Sequence, residues 1–162
     1  HDGDARRPPR VMSSLAIRRA RREDLDAIVA LYAADSLHAG REPVTGDWAG
    51  AFQEIAADPR ELLLVGEESG RVVGTLQMTF LRYLTYGGAR VALVEAVHVA
   101  ASERSRGVGA AMMRFAIDEA KKRGCHRVQL TSNKARSDAH RFYERLGFTR
   151  SHEGFKLFLA AP

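Results

Sequence analysis

The sequence predicts an α/β domain with a mixed, mostly antiparallel central sheet flanked by helices. Three observations predict it. Apolar runs of strand length alternate with helical stripes from residue 15 to residue 159. A turn at Glu68-Ser69-Gly70-Arg71 joins two of those runs directly, which makes the early part of the sheet antiparallel. Two later helices stand between strands, as parallel crossovers require. The chain has 162 residues, 45% hydrophobic and 28% charged, enough to bury one core and too few for two ordinary domains. The expected division is a disordered arm or appended remnant over residues 1–13 and a single domain over residues 14–162.

In order, the predicted elements run β-α-α-β-β-β-α-β-α-β-β. Residues 1–13 are polar, rich in Pro and Arg, and without periodicity. Leu15–Arg19 is a short β-like run. Asp24 is a candidate N-cap for a helix whose Leu25, Ile28, Val29 and Tyr32 recur at helical spacing. A loop with Gly40, Pro43 and Gly46 follows. Asp47 can cap a second helix bearing Trp48, Phe52 and Ile55, which stops near Pro59. Leu62–Glu67 and Val72–Leu81 are the hairpin strands. Arg82–Arg90, with Gly87-Gly88, is a loop, and Val91–Val99 is a third long strand. Gly109, Met112, Met113, Ala116, Ile117 and Ala120 form the clearest helical stripe. Lys121, Lys122 and Arg123 suit the negative end of its dipole, and Gly124 ends it. Arg127–Ser132 is a strand. Ser137 can cap a helix carrying Ala139, Phe142, Tyr143 and Leu146, closed by Gly147. Phe148–Arg150 and Phe155–Leu159 are the two final strands.

Composition removes several function classes. The single cysteine, Cys125, excludes an intrachain disulfide and a four-cysteine zinc site. No apolar run reaches the ~18–20 residues needed to cross a bilayer. The N-terminus lacks the layout of a secretory signal, so a cytoplasmic protein with no membrane partner is expected. Lys and Arg number 25 against 20 Asp and Glu, a formal net charge of +5. The positive charges are interspersed with acids, which argues against nucleic acid and leaves a phosphorylated ligand open.

The sharpest motif is a strand, then Arg104-x-x-Gly107-x-Gly109, then a helix. Unpaired N–H groups at a helix start hold phosphate oxygens, and glycines let the backbone approach without a Cβ clash. Arg104 and Arg106 add positive charge. The same spacing also fits a plain turn that starts an amphipathic helix. The Lys-Ser/Thr of a P-loop and the third glycine of a dinucleotide fold are both missing.

The stretch Val99-Ala-Ala-Ser-Glu-Arg104-Ser-Arg-Gly107-Val-Gly109-Ala resembles the acetyl-coenzyme A motif of the GNAT superfamily of N-acetyltransferases. Ala139-His-Arg-Phe142-Tyr143-Glu-Arg-Leu146-Gly147-Phe148 resembles its second signature, a helix ending in Tyr-x-x-x-Gly-Phe. The resemblance covers roughly residues 15–159. Leu130 to Tyr143, with Gly147-Phe148 and Ser151-His152, is similar to bacterial aminoalkylphosphonate N-acetyltransferases. One departure stands out: Arg136 occupies the place where the commonest pattern has Asn, and the nearest Asn is Asn133.

The resemblance implies acetyl-coenzyme A as cosubstrate. It implies binding by Val97 and Val99, by Arg104, Ser105, Arg106, Gly107, Val108, Gly109 and Ala110, and by Asn133. Glu95 alternates with Val91, Leu93, Val97 and Val99, so burial and a raised pKa are expected of it, as suits a general base. The alternative is a structural carboxylate tied to a neighbouring Arg or backbone group, and the cost of burying an isolated carboxylate favours the functional reading. Tyr143 lies on an apolar helix face and by spacing is a core residue; the resemblance makes it the acid that protonates the leaving thiolate. His98 is expected opposite Glu95 as a structural histidine, and Cys125 as buried and inert. His140 and His152 form no metal constellation. Trp48, Tyr83 and Tyr86 sit where relatives wall the acceptor site, or serve packing or a dimer contact. The implied activity is acetyl transfer to a primary amine of a small molecule, by direct attack in a ternary complex, with a homodimer possible. A non-catalytic acyl-coenzyme A-sensing module and a protein N-terminal or lysine acetyltransferase remain open.

Overall fold

The computed structural model describes residues 14–35 and 46–160. The expected arm over 1–13 and the expected loop glycine Gly40 and Pro43 lie outside the described residues. The elements are β1 (Ala16–Arg19), α1 (Leu25–Ala33), α2 (Trp48–Ala57), β2 (Glu61–Glu68), β3 (Arg71–Arg82), a distorted helical turn α3 (Thr85–Gly88), β4 (Arg90–Val99), α4 (Val108–Lys122), β5 (Cys125–Leu130) and α5 (Ser137–Arg145). The sheet order is β1-β2-β3-β4-β5. Every pair is antiparallel except β4 with β5, which is parallel through the α4 crossover.

Period-2 alternation sends the strand side chains to two faces, and each face meets its own helices. Leu62, Leu64, Leu76, Met78, Ala92 and Val94 pack under Val108, Met112, Met113, Ala116 and Ala120 of α4. Leu63 and Val65 face the other way, onto Ile28, Tyr32, Phe52 and Ile55 of α1 and α2. A Cβ on Gly74 would stand 2.7 Å from Met112 Sδ, so this glycine lets α4 lie close on β3. The β2–β3 turn places Ser69 and Gly70 at φ of 51° and 74°, the two left-handed residues of a tight hairpin.

Three expectations about local structure need correction. Asp47 does cap α2, accepting from Gly50 N at 2.8 Å, but Ser137 makes no cap bond on α5 and is its first residue. Asp24 makes no cap bond on α1 either. Its carboxylate is taken by Arg18 Nη1 and Nη2, at 2.7 and 3.0 Å, and by Arg21 N at 2.7 Å. The two final strands are not formed: residues 149–159 carry no regular structure and all are exposed, and no strand among the described residues pairs with them. Among the described residues, no helix is long and apolar enough to cross a membrane.

Asp24 ties β1 to the start of α1, and its pKa lies below the ordinary aspartate value chiefly because Arg18 donates to it. That stabilisation is complete above the unfolded pKa of ~3.9 and is lost as the pH falls through the lowered native value. Asp24→Asn should cost about 2 kcal/mol at pH 7, the worth of charge-assisted hydrogen bonds. Urea denaturation should show the gap to the parent chain narrowing below pH 4. An equal gap at pH 7 and pH 3 would contradict this account.

Candidate active site

β4 keeps its antiparallel partner along its whole length, to Gly74↔Val99, but pairs with β5 only as far as Val94↔Leu130. From Glu95 to Val99 one edge of β4 therefore faces no strand. The break coincides with a bulge. Gln77 is opposite Glu95 and Thr75 is opposite His98, so Ala96 and Val97 share the single partner Leu76. Ala96 sits at φ 53°, a left-handed conformation unusual for alanine. Ala100 N donates to Val73 O, so by alternation His98 turns its backbone groups toward β3 and Val97 and Val99 turn theirs into the opening.

The bulge resets which side chains share a face. Val97 and Val99 join Ala92 and Val94 on the α4 side. Glu95 falls with His98 on the α1 side, so the expectation that these two point oppositely is wrong. Glu95 is also exposed, and the apolar burial expected of it is absent. Beside it, Gln77 Nε2 donates to Glu61 at 2.8 Å and Thr79 Oγ1 reaches the same carboxylate at 3.0 Å. His98 Nδ1 lies 3.5 Å from Asp35 Oδ2, and its ring is 5.1 Å from that of Tyr32.

Past Val99 the chain turns through Ala101–Glu103 into the loop before α4. Ser105 and Gly107 both have positive φ, 63° and 82°, and Gly107 is the N-cap. Gly107 O accepts from Ala111 N, which leaves the N–H groups of Val108, Gly109 and Ala110 without helical acceptors. Arg104 is exposed and makes no ion pair among the described residues. Arg106 is different: its guanidinium is held by the Glu103 carboxylate and lies 3.6 Å from Glu68. Both carboxylates offset its charge, while its Nη2 is buried with no hydrogen-bond partner among the described residues. Gly109 fits between strand and helix, its Cβ position 3.5 Å from both Val99 Cγ2 and Phe142 Cζ.

Tyr143 reaches the same region from α5. Its ring meets Phe142 and Phe148 edge-on, at 5.1 and 5.9 Å between centroids. Burial pushes its pKa above the ordinary 10, with the charge of Arg136 opposing. No hydrogen-bond partner of its hydroxyl stands among the described residues. Asn133 shapes the approach to α5: Oδ1 accepts from Ala135 N at 2.9 Å, and its carbonyl oxygen is 2.9 Å from His140 Nε2. Arg136 pairs with buried Asp35 and so links α5 to the end of α1. No local pattern signals this pair, whose members lie far apart in the chain.

Other candidates fall elsewhere. Tyr86 stacks on His126 at the start of β5, 4.6 Å between centroids, and Tyr83 belongs to the same connection. Both are at the end of β5 away from the opening, so they do not wall it. Trp48 lines a recess of about 410 Å³ with Arg22, Asp26 and Asp47, at the starts of α1 and α2. Cys125 is half-buried, and desolvation raises its thiol pKa, as an inert cysteine requires. His152 Nδ1 contacts Ser151 Oγ at 2.6 Å. No metal-binding cluster occurs among the described residues.

The Acetyltransferase (GNAT) family pattern matches residues 16–148, which holds the opened strand pair, the glycine loop and α5. The chain belongs to this family. As a GNAT protein it is an acyltransferase of the N-acetyltransferase type. The aminoalkylphosphonate N-acetyltransferase of Salmonella typhimurium is 28% identical over 150 residues, 93% of this chain and 95% of that protein. The glucosamine 6-phosphate N-acetyltransferase of Trypanosoma brucei brucei is 34% identical over 87 residues, 54% of this chain and 56% of that one. A solved structure described as a transcriptional regulator from Bacillus halodurans C-125 superposes with TM-score 0.87 at 42% identity, covering 90% of this chain and 99% of that one.

The two loop arginines should separate cleanly in a thermal melt of the free protein. Arg106→Ala strands the Glu103 and Glu68 carboxylates and should cost about 2–3 kcal/mol. Arg104→Ala, with no partner to lose, should melt within about 0.5 kcal/mol of the parent chain. Equal melting of the two variants would refute the division of roles.

Proposed function

We propose that this protein transfers the acetyl group of acetyl-coenzyme A to the primary amine of a small molecule, by direct attack while both substrates are bound. The observation that carries the reading is the parting of β4 from β5 after Val94 and Leu130, which leads straight to the N-terminus of α4. The exposed backbone edge of Val97 and Val99 suits an extended amide-bearing arm, as a neighbouring strand would. The free N–H groups of Val108, Gly109 and Ala110, with Arg104 and Ser105 beside them, suit the pyrophosphate. Gly107 and Gly109 keep that approach clear of side chains, and Asn133 flanks the far side.

The two proposed proton-handling residues lie on opposite faces of the sheet at the opening. Glu95, on the α1 side, takes the proton that the amine must lose, directly or through water. The amine nitrogen then bonds to the thioester carbon, and the carbon–sulfur bond breaks. Tyr143, on the α4 side, delivers its proton to the departing thiolate. Burial pushes its pKa above the ordinary tyrosine value, so the hydroxyl holds its proton at neutral pH and can donate it. For the acceptor we propose a small amine that also carries a phosphonate or phosphate. The two named relatives act on an aminoalkylphosphonate and a sugar amine phosphate, and this chain has a net charge of +5.

A second reading, an acyl-coenzyme A-binding regulator without turnover, is supported by the description of the Bacillus halodurans neighbour. Thiol release from acetyl-coenzyme A, measured across aminoalkylphosphonates, sugar amine phosphates, polyamines and peptide N-termini, decides between them. The proposal expects fastest turnover with the phosphorus-bearing amines. Binding of acetyl-coenzyme A without thiol release on any amine would favour the regulator.

Three substitutions test the roles. Gly107→Glu should weaken acetyl-coenzyme A binding in calorimetry, since it strains a φ of 82° and sets a negative charge at the helix start. Glu95→Gln should lower kcat/KM by about 10²–10⁴-fold at neutral pH, with the loss shrinking as rising pH deprotonates the amine unaided. Tyr143→Phe should lower kcat about 10²-fold while leaving coenzyme affinity and Tm unchanged, because its hydroxyl has no partner to lose among the described residues. That loss should be the same at pH 7 and pH 9. Full kcat in Tyr143→Phe would remove it from the chemistry.

A further inference from the structure

On the α1 face of the sheet, beside the opening, one side-chain amide is held in a fixed sense. Gln77 stands directly opposite Glu95 in the β3–β4 ladder and opposite Leu63 in the β2–β3 ladder. Leu63 packs in the cluster of α1 and α2, so Gln77 and Glu95 share that face. Directly opposed residues of an antiparallel pair have Cβ atoms about 4.5–5.5 Å apart, so the two side chains border one patch of surface. Glu95 is exposed there and Gln77 is half-buried.

An amide has two unlike ends, and here the chemistry decides which end goes where. Gln77 Nε2 donates to Glu61 Oε2 at 2.8 Å, since only the nitrogen end can meet a carboxylate. Glu61 is fixed in turn by Thr79, its cross-strand partner, whose hydroxyl lies 3.0 Å from both carboxylate oxygens. β2 and β4 flank β3 on its two sides. The nitrogen end of Gln77 is committed to the β2 side, and the carbonyl oxygen is the end left for the β4 side, where Glu95 stands. Among the described residues, Gln77 Oε1 accepts no hydrogen bond.

We propose that Gln77 Oε1 is a second acceptor for the ammonium group of the acceptor substrate, beside Glu95, and that Glu61 is a positioning residue that acts through the Gln77 amide. The proposal rests on the acetyl-transfer reading and adds two residues to it. An alkylammonium brings three N–H groups. Glu95 takes one proton, and an amide oxygen can hold one of the two N–H groups that remain. That oxygen is too weak a base to remove the proton it binds, so it orients the nitrogen without competing with Glu95. A reversed amide would turn N–H donors toward the substrate, where they repel an ammonium and occupy the lone pair of a free amine. Glu61 forbids the reversal, because it would set the amide oxygen against a carboxylate.

Gln77→Met keeps the reach of the side chain and removes the acceptor. Thiol release and calorimetric binding are both measured with aminomethylphosphonate, the binding on protein loaded with coenzyme A. Gln77→Met should raise the KM and the Kd of this amine about 10-fold or more, with the Kd of acetyl-coenzyme A unchanged. Gln77→Asn, which withdraws the amide, should show the same rise. Glu61→Gln should give a smaller rise, and adding it to Gln77→Met should give none beyond that of Gln77→Met alone. A polar ladder that merely holds β2 to β3 would shift Tm and leave amine KM where it is. Unchanged amine KM and Kd in both Gln77 variants, with thiol release intact, would overturn the proposal and leave acetyl transfer standing. A further rise in the double variant would overturn the positioning role of Glu61. Binding that depends on Gln77 without thiol release would remove the acetyl-transfer reading and keep the ammonium site. No binding of the amine to the parent protein would overturn the site itself.

Discussion

The site depends on one irregularity, the extra residue in β4 at Ala96. A regular β4 would carry both neighbours to its end, and its backbone would be used up on each side. The bulge lets β4 keep β3 as far as Val99 while β5 departs after Leu130. One edge of a central strand is thereby left with polar groups unclaimed in the middle of a sheet. Such groups are costly unless another chain, water or a ligand takes them. The opening is also aimed, because the strand runs within a few residues into Gly107 and the start of α4.

The same irregularity decides which side chains meet. It swings Val97 and Val99 onto the α4 core and His98 onto the α1 face, which Glu95, just before the bulge, already occupies. Residues from two layers that a continuous sheet would keep apart come to the two sides of one gap. Contacts across the molecule hold the arrangement. Arg136 with Asp35 fastens α5 to α1, and Gly109 stands at van der Waals distance from both Val99 and Phe142, where α5 meets the end of β4. Glu103 and Glu68 neutralise Arg106, so the loop keeps its shape and offers Arg104 alone as an uncommitted guanidinium.

Most of the fold was legible because it is written in local patterns. The hairpin at Ser69-Gly70, the stripe from Gly109 to Ala120 and the Asp47 cap each involve residues close in sequence. The glycine loop was legible for the same reason. The exposure of Glu95 is not legible because it depends on β5 leaving β4 at Val94, and the direction of His98 is not legible because nothing in an alanine announces the left-handed φ of Ala96. The fate of Arg106 rests on Glu68 and that of Arg136 on Asp35, partners fixed only by tertiary packing. Asp24 was read as a cap because its type and position fit one, but Arg18 on β1 competes for the same carboxylate. The pattern in 155–159 is that of a strand; what sequence pattern does not contain is whether a partner lies within the same chain.

The crossover through α4 also divides the molecule in time. β2, β3 and β4 follow one another through short connections, so their contacts form between near neighbours. β5 can join only after the whole of α4 has been laid against the sheet, a slower closure. Its ladder to β4 is short and ends where the gap begins, so the union of β5 and α5 with the meander is a joint of limited strand contact, bridged by α4. A molecule seated in the gap would touch both pieces. Whatever it gains by binding is added to the cohesion of that joint, so occupancy would convert two loosely coupled folding units into one cooperative body.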